Sequence, residues 1–320
     1  MDHSLGRQGY PRRHHGDRFH GRGLGGGDGQ APRPRRLPAG IVSVHGRDVA
    51  SVSAAEPLLY AVEDGIATLT LNRPESLNAM NDELMGGISA ALEQVRHDES
   101  IRVVVVTGAG RGFCAGADLA AAADAPPIGN TDAQALPDDA GDVFNGTMRD
   151  LMDCPVPTIA RVNGAAAGGG LGLALACDIT IAAESAFFVA TFGPNLGIVP
   201  DLGSTWSIPL RIGRARALGM TLLGDRISAT QAEQWGLIWR AVPNAELDAE
   251  VSRIAETLKR SSPSAATRIR QAIDAATQNT FSEQLNLEMV HQGVLIPRNM
   301  QEGARAFMEK RPPEFDGKRD

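Results

Sequence analysis

The run 162–178, VNGAAAGGGLGLALACD, places three consecutive glycines, Gly168, Gly169 and Gly170, where a smooth apolar helix of small residues begins. Glycine loses more backbone entropy on folding than any other residue, so such a run needs a cause, either unusual dihedrals or a ligand pressed against the backbone. A second stretch, GFCAGADL at 112–119, has the same form: a buried strand ends, small residues follow and a helix begins. The first N–H groups of a helix lack intrahelical acceptors, and the helix dipole favours negative charge there. Two such N–H groups converging on one oxygen form an oxyanion hole for an enolate or a tetrahedral intermediate. The competing reading is that these glycines only let a helix pack tightly on a strand.

Working outward, LLYAVEDGIATLTL at 58–71 reads as two strands around an Asp64-Gly65 turn, and Pro74 ends the second. Asn81 is placed to cap a helix over DELMGGISAALEQVRHD. IRVVVVTGAG is a β-branched run that predicts a strand buried on both faces, and VPTIARVNG predicts another. VFNGTMRDLMDC reads as a helix, DITIAAE and AFFVA as strands, RGFCAGADL as a loop, and the polar stretch over 120–140 as a mobile one. From Gly203 onward the pattern is a string of helices, GSTWSIPLRIG, ARALGMTLLG, SATQAEQWG, AELDAEVSRIAETLKRS and SPSAATRIRQAIDAATQN, interrupted by the strand LIWRAVP. This alternation predicts an α/β fold with a layered sheet. The expected organisation is an extension over 1–55, a core over 56–260 and a helical region over 261–320.

The chain has 320 residues, 42% of them hydrophobic and 22% charged, which suits a soluble body with a sizeable core. No apolar run approaches the roughly 18 residues of a membrane span. Cys114, Cys154 and Cys177 are odd in number and widely spaced, forming neither a disulfide framework nor a metal-binding pair, and they point to a reducing, cytoplasmic setting. Charge divides sharply: residues 1–47 carry nine arginines against three acids, near +6, leaving the rest near −13 of the total −7. An acidic body argues against a nucleic-acid enzyme. The basic head is Gly/Arg/Pro-rich without apolar periodicity and reads as a disordered, dispensable extension; an RNA-binding tail is the alternative. It is neither amphipathic nor serine-rich, as a transit peptide would be.

The paired glycine segments, with NRPESLNAMN at 72–81 before them, resemble the crotonase (enoyl-CoA hydratase/isomerase) superfamily over about residues 57–316. The resemblance implies a crotonase (ClpP-like) fold, a spiral of ββα units with a helical C-terminal trimerisation region, assembled as a trimer or hexamer. It implies acyl-CoA thioesters as substrates and calls for no metal or redox cofactor. It places the oxyanion donors on the N–H groups of Ala117 and Gly169, with the thioester oxygen against Gly169, where a side chain would hold the substrate away. It also implies coenzyme A contacts from Ser76, Leu77, Asn78, Ala115, Gly116, Asp118 and Gly168, with Asp118 holding the first loop. Lys310 and Arg311 meet the coenzyme A phosphates or form a solvated helix end; Asp178 reads as structural, and no motif histidine stands ready to activate Cys114.

Two departures from the family carry more information. Its hydratases add water with two carboxylates, which would fall at Gly172 and Gly193, and both are glycine here. Asp201, in LGIVPDLGST, matches a catalytic aspartate of some isomerases of the superfamily, and equally precedes a helix start that it could cap. The wider stretch 197–243 and the tail FSEQLNLE…EGARAFMEKRPPEFDGK resemble the ring-epoxide isomerases of phenylacetyl-CoA degradation. That resemblance implies conversion of 1,2-epoxyphenylacetyl-CoA to an oxepin-CoA, and a shift of a Δ3 double bond to Δ2. One carboxylate beside Leu202, Ile198 and Phe192, in an apolar pocket, suffices to carry a proton along the chain. The alternatives are an enoyl-CoA hydratase with an unrecognised base, and a non-catalytic homologue that binds acyl-CoA or RNA.

Overall fold

Four consecutive valines set the centre of the sheet. In the computed structural model, which describes residues 41–44, 56–119 and 143–319, strand β4 (Val103–Gly108) is buried along its whole length. Parallel neighbours on both edges account for this: β3 (Ile66–Leu71) on one side and β6 (Thr158–Val162) on the other. β3 folds back on β2 (Leu58–Glu63) through Asp64 and Gly65, whose φ values of 46° and 76° are those of a tight hairpin turn. Beyond β6 come β8 (Ile179–Ala183) and β11 (Arg240–Val242), both parallel. At the other edge β1 (Ile41–Val44) pairs with β2, completing seven strands in the order β1-β2-β3-β4-β6-β8-β11. β1 corrects the expectation that 1–55 is wholly a disordered extension: residues 41–44 join the sheet. The rest of that segment, and the 120–140 stretch expected to be mobile, lie outside the described residues.

A second, four-stranded sheet in the order β10-β9-β7-β5 is built from β5 (Gly112–Cys114), β7 (Ala165–Ala167), β9 (Phe187–Val189) and β10 (Ile227–Ser228). One reading changes here: residues 112–114, expected in a loop, form a strand. Ala165–Ala167 add a further short strand just before the glycine run. Strands of two or three residues are too short for alternation to register in a sequence.

Helix α1 (Asp82–His97) starts where Asn81 accepts the Leu84 N–H at 3.0 Å, and it buries Leu84, Met85, Ile88, Ala91, Leu92 and Val95 along one stripe. It packs with α2 (Val143–Met152), whose Thr147 hydroxyl donates to the Met85 carbonyl at 3.0 Å. α3 (Gly169–Ala176) is buried on every side. α4 (Ser204–Leu223) joins the two helices expected separately, with a break at Gly213 (φ 74°, ψ 162°). The remaining helices are α5 (Ala229–Trp235), α6 (Leu247–Lys259), α7 (Pro263–Ala275), α8 (Phe281–Leu295) and α9 (Gln301–Glu309). The helical region expected over 261–320 belongs to the same compact unit as the strands. Arg270 of α7 fastens it: its guanidinium donates to both Asp178 oxygens at 2.7 and 2.8 Å and to the Met152 and Cys154 carbonyls at 2.8 Å. Among the described residues no helix is long and apolar enough to cross a membrane.

Candidate active site

Both glycine segments end at one corner of the small sheet. β5 and β7 lie side by side and parallel, so the loops leaving them leave together. Gly116 (φ 94°) passes so close to the second segment that a β-carbon on it would stand 2.9 Å from the Ala167 carbonyl oxygen and 3.2 Å from the Gly169 nitrogen. Only glycine fits both that φ and that approach. The corner thereby brings the loop that carries Ala117 against Gly169.

The direction of each N–H follows from its pairing. Met80 donates to the Gly116 carbonyl at 2.7 Å and accepts from the Asp118 N–H at 2.9 Å, a single parallel bridge centred on Ala117. In such a bridge the residue between the two bonded peptides turns its own N–H away from the partner strand. Ala117 therefore presents its N–H on the side opposite Met80, and Ala117 itself is exposed. Gly169 is the first residue of α3, where its N–H has no intrahelical acceptor. Gly168 caps that helix at φ 52°, ψ −126°, a conformation reserved to glycine, and its own N–H is spent on the Val189 carbonyl at 2.9 Å.

A β-carbon on Gly170 would fall on the Cys114 carbonyl, so tight packing within the protein accounts for glycine there. One on Gly169 would meet the ends of two flexible side chains, Met80 Cε at 2.5 Å and Leu202 Cδ1 at 2.8 Å.

The first loop is held by side chains. Arg73 pairs with Asp118 at 2.7 Å and donates to the Ala79 carbonyl at 2.5 Å, so Asp118 holds the loop, as expected. Asn78, fully buried at φ 60°, accepts the Arg73 N–H at 2.9 Å and donates to the Ala109 and Gly112 carbonyls at 3.0 and 2.9 Å. Leu77 gives its carbonyl to the Ala115 N–H at 3.0 Å and its N–H to the Pro74 carbonyl, and Ser76 accepts from Ala79. The peptides of Leu77 and Ser76, implied as coenzyme A contacts, are thus engaged in holding this turn. Asn163 binds the second segment to the same turn, donating to Gly110 and Gly112 carbonyls at 3.0 and 3.2 Å. Arg73, Met80 and Asn163 lie outside the residues singled out from the sequence; their partners lie 35 to 55 positions away, beyond any local pattern.

Asp201 sits in the turn leading into α4. The N-cap residue of that helix is Gly203, and the Asp201 carbonyl accepts the Ser204 N–H at 2.9 Å. Leu202 and Phe192 are buried, whereas Ile198 is half exposed and Asp201 exposed, so the apolar enclosure expected around the carboxylate is open in the single chain. At the two glycines where the resemblance would put the hydratase carboxylates, a β-carbon on Gly172 would stand 2.7 Å from the Leu202 carbonyl oxygen, too close to fit unshifted, and one on Gly193 would stand 3.0 Å from the Thr221 carbonyl oxygen, a tight contact. A cavity of about 280 Å³ opens beside Gly172 and Leu202, walled by Met148, Leu175 and Trp206.

Three other expectations resolve. Lys310 is an exposed left-handed cap at the end of α9, and Arg311 is held by Glu302 and Glu309, both at 2.7 Å, in that same turn; among the described residues no contact joins either to the Ala117–Gly169 corner. Asp178 is structural, serving Thr158 and Arg270. Burial pushes the Cys114 thiol up to about 12 and Cys154 to about 11, which leaves both as inert thiols at neutral pH.

Residues 61–318 match the family model described as enoyl-CoA hydratase/isomerase. The chain belongs to this family. A 1,2-epoxyphenylacetyl-CoA isomerase of Escherichia coli (strain K12) is 44% identical over 269 residues, 82% of this chain and 99% of that protein. A probable enoyl-CoA hydratase of Rhodobacter capsulatus is 39% identical, over 81% of this chain and 97% of the relative. The crystal structure of an enoyl-CoA hydratase from Bacillus anthracis superposes with a TM-score of 0.73 at 34% identity, covering 82% of this chain and all of that one. The fold is therefore the crotonase fold, and the family's members include both isomerases and hydratases.

Proposed function

We propose that the protein is an acyl-CoA isomerase in which the N–H groups of Ala117 and Gly169 bind the thioester oxygen and Asp201 moves one proton. Negative charge reaches that oxygen when the proton α to the thioester leaves, and two preorganised donors lower the cost of that charge. Asp201 takes the proton from the α-carbon and returns it two carbons farther on, which carries a Δ3 double bond to Δ2 with no net change of atoms. The acyl group is housed in the cavity beside Gly172. The scheme calls on backbone donors and one carboxylate, with no metal or redox cofactor.

The observation that carries this reading over hydration is the lack of a carboxylate at Gly172 and Gly193, with Gly172 closed against the Leu202 carbonyl and Gly193 tight against that of Thr221. The positions where the family's hydratases hold their carboxylates lack them here, and peptide carbonyls of the 201–204 turn and of α4 stand where those side chains would begin. The 44% identity to an epoxyphenylacetyl-CoA isomerase supports 1,2-epoxyphenylacetyl-CoA, opened to its oxepin-CoA, as a substrate alongside Δ3-enoyl-CoA. Hydration is the second reading, favoured by the hydratase-named relative at 39% identity.

Full-length protein and Asp201→Asn are compared on a Δ3-enoyl-CoA, on crotonyl-CoA and on 1,2-epoxyphenylacetyl-CoA, following absorbance of the conjugated product and mass for water addition. The expected result is a rapid double-bond shift that falls about 100-fold or more in the variant, the usual worth of a positioned base, with little water addition. Water addition that outruns isomerisation and survives the substitution would establish the hydratase instead.

The same reading extends to assembly. α8 has no buried residue, and Phe281, Met289, Val290, Phe307 and Met308 of α8 and α9 are each more than 70% exposed or close to it, at 79%, 71%, 65%, 82% and 79%. An apolar surface of this kind is covered in solution, here by further copies of the chain as a trimer or hexamer. Light scattering after size-exclusion chromatography reads the copy number directly.

A further inference from the structure

Among the described residues, five other than glycine adopt a left-handed backbone: Asp64, Leu77, Asn78, Leu202 and Lys310. Four have an ordinary setting in a hairpin, the 74–78 turn or a helix end. The fifth, Leu202, is a buried leucine at φ 48°; with Gly203 at φ 75° it forms the centre of a tight turn that the Ser204 N–H closes on the Asp201 carbonyl at 2.9 Å. A branched side chain held there costs about 1 kcal/mol or more and persists only where its surroundings over-determine it.

The surroundings are on α3. Gly169 and Gly172 are three residues apart and so share one face of that helix. The Leu202 side chain occupies the space a Gly169 β-carbon would need, its Cδ1 2.8 Å from that point, with Met80 Cε beside it. Its carbonyl oxygen and Cβ lie 2.7 and 3.2 Å from the point a Gly172 β-carbon would take. The two glycines cut a notch in α3, and Leu202 is seated in it. The same helix offers the Gly169 N–H, and the residue just before Leu202 in the chain is Asp201.

We infer that Leu202 is a positioning residue: its left-handed backbone and its seat on Gly169 and Gly172 hold the Asp201 carboxylate in register with the Gly169 donor. The inference rests on Asp201 being the base. Leu202 touches no reacting atom in this role; it fixes the distance between the two groups that do. A displacement of about 1 Å between catalytic groups costs on the order of 100-fold in rate, so the effect belongs in kcat rather than in substrate binding.

The test uses the full chain with Leu202→Ala, Leu202→Met, Gly172→Ala and Asp201→Asn, on a Δ3-enoyl-CoA in H2O and in D2O. Leu202→Ala empties the notch, and Gly172→Ala pushes the Leu202 carbonyl outward while favouring the helix. Both are expected to lower kcat about 10- to 100-fold with KM within about twofold, and to raise deuterium incorporation into product as the proton is held less closely. Leu202→Met, which keeps the volume, stays within about threefold of the parent. If Leu202→Ala fails to fold, Gly172→Ala carries the test alone. A folded Leu202→Ala or Gly172→Ala with parental kcat, or a loss confined to KM, overturns the inference. Asp201→Asn separates the two failures: if it abolishes isomerisation while Leu202→Ala does not, only the positioning role falls, and if it retains full activity, the proposed base falls first.

Discussion

The two loops that meet at the Ala117–Gly169 corner are held by opposite means. The second, 165–172, is held by what it lacks: Gly168, Gly169, Gly170 and Gly172 let β5, Met80 and the 201–204 turn close on a helix that is buried throughout. The first, 112–118, is held by what other segments add: the Arg73–Asp118 pair, the Asn78 amide and the Met80 bridge, with Ala117 itself exposed. A donor fixed by close packing fails all at once when a carbon is added. A donor fixed by polar side chains loosens in steps as they are removed. The comparison therefore forecasts a graded series of effects.

The largest belongs to the glycine side. Gly170→Ala puts a carbon on the Cys114 carbonyl, a backbone atom with nowhere to move. It is expected to destabilise by about 3 kcal/mol or more despite the helix preference for alanine, read from chemical denaturation midpoints. A folded variant of parental stability would break the contrast.

Asn78→Ala comes next. It strands the Arg73 N–H and the Ala109 carbonyl, takes one of two amide donors from the Gly112 carbonyl and leaves alanine at a left-handed φ. A loss of about 2–4 kcal/mol is expected, and kcat should fall with stability because the same turn carries Ala117. Arg73→Ala should act more on activity than on stability. Its pair with Asp118 is about one-fifth exposed on each side, so the stability cost is about 1 kcal/mol. The loosened loop should lower kcat several-fold with the fold intact by circular dichroism.

The effect that is smallest at neutral pH, and grows only above pH 9, is the titration of Cys114, which carries the carbonyl that Gly170 packs against. Burial raises its thiol from the ordinary 9.0 to about 12, so the folded chain binds that proton more tightly than the unfolded chain. Its contribution is fully present below pH 9 and is lost as the pH rises from there toward 12. Stability should thus decline over that window, and at pH 8 Cys114 should resist alkylation in the folded protein and react once unfolded. Rapid labelling of the native thiol would show the corner to be open.

Much of this was legible in the order of residues. The hairpin at Asp64-Gly65, the Asn81 cap, the valine strand and the ends of two strands at glycine-rich turns are local signals, since each depends on neighbours within a few positions. The two glycine segments and the glycines at 172 and 193 were likewise readable, because a motif is a string. Periodicity does not say which segment will lie against which, so the following were not readable. Met80 bridges to Ala117 across 37 positions, Arg73 reaches Asp118 across 45, and the short strands of the second sheet are defined only by their partners. The setting of the glycine run was hidden for the same reason: the sequence shows that side chains are absent, and only the fold shows that the Cys114 carbonyl, Leu202 and Met80 lie against it. Local chemistry fixed the parts list of the site, and the contacts between distant segments, which no local pattern encodes, decided how those parts are held.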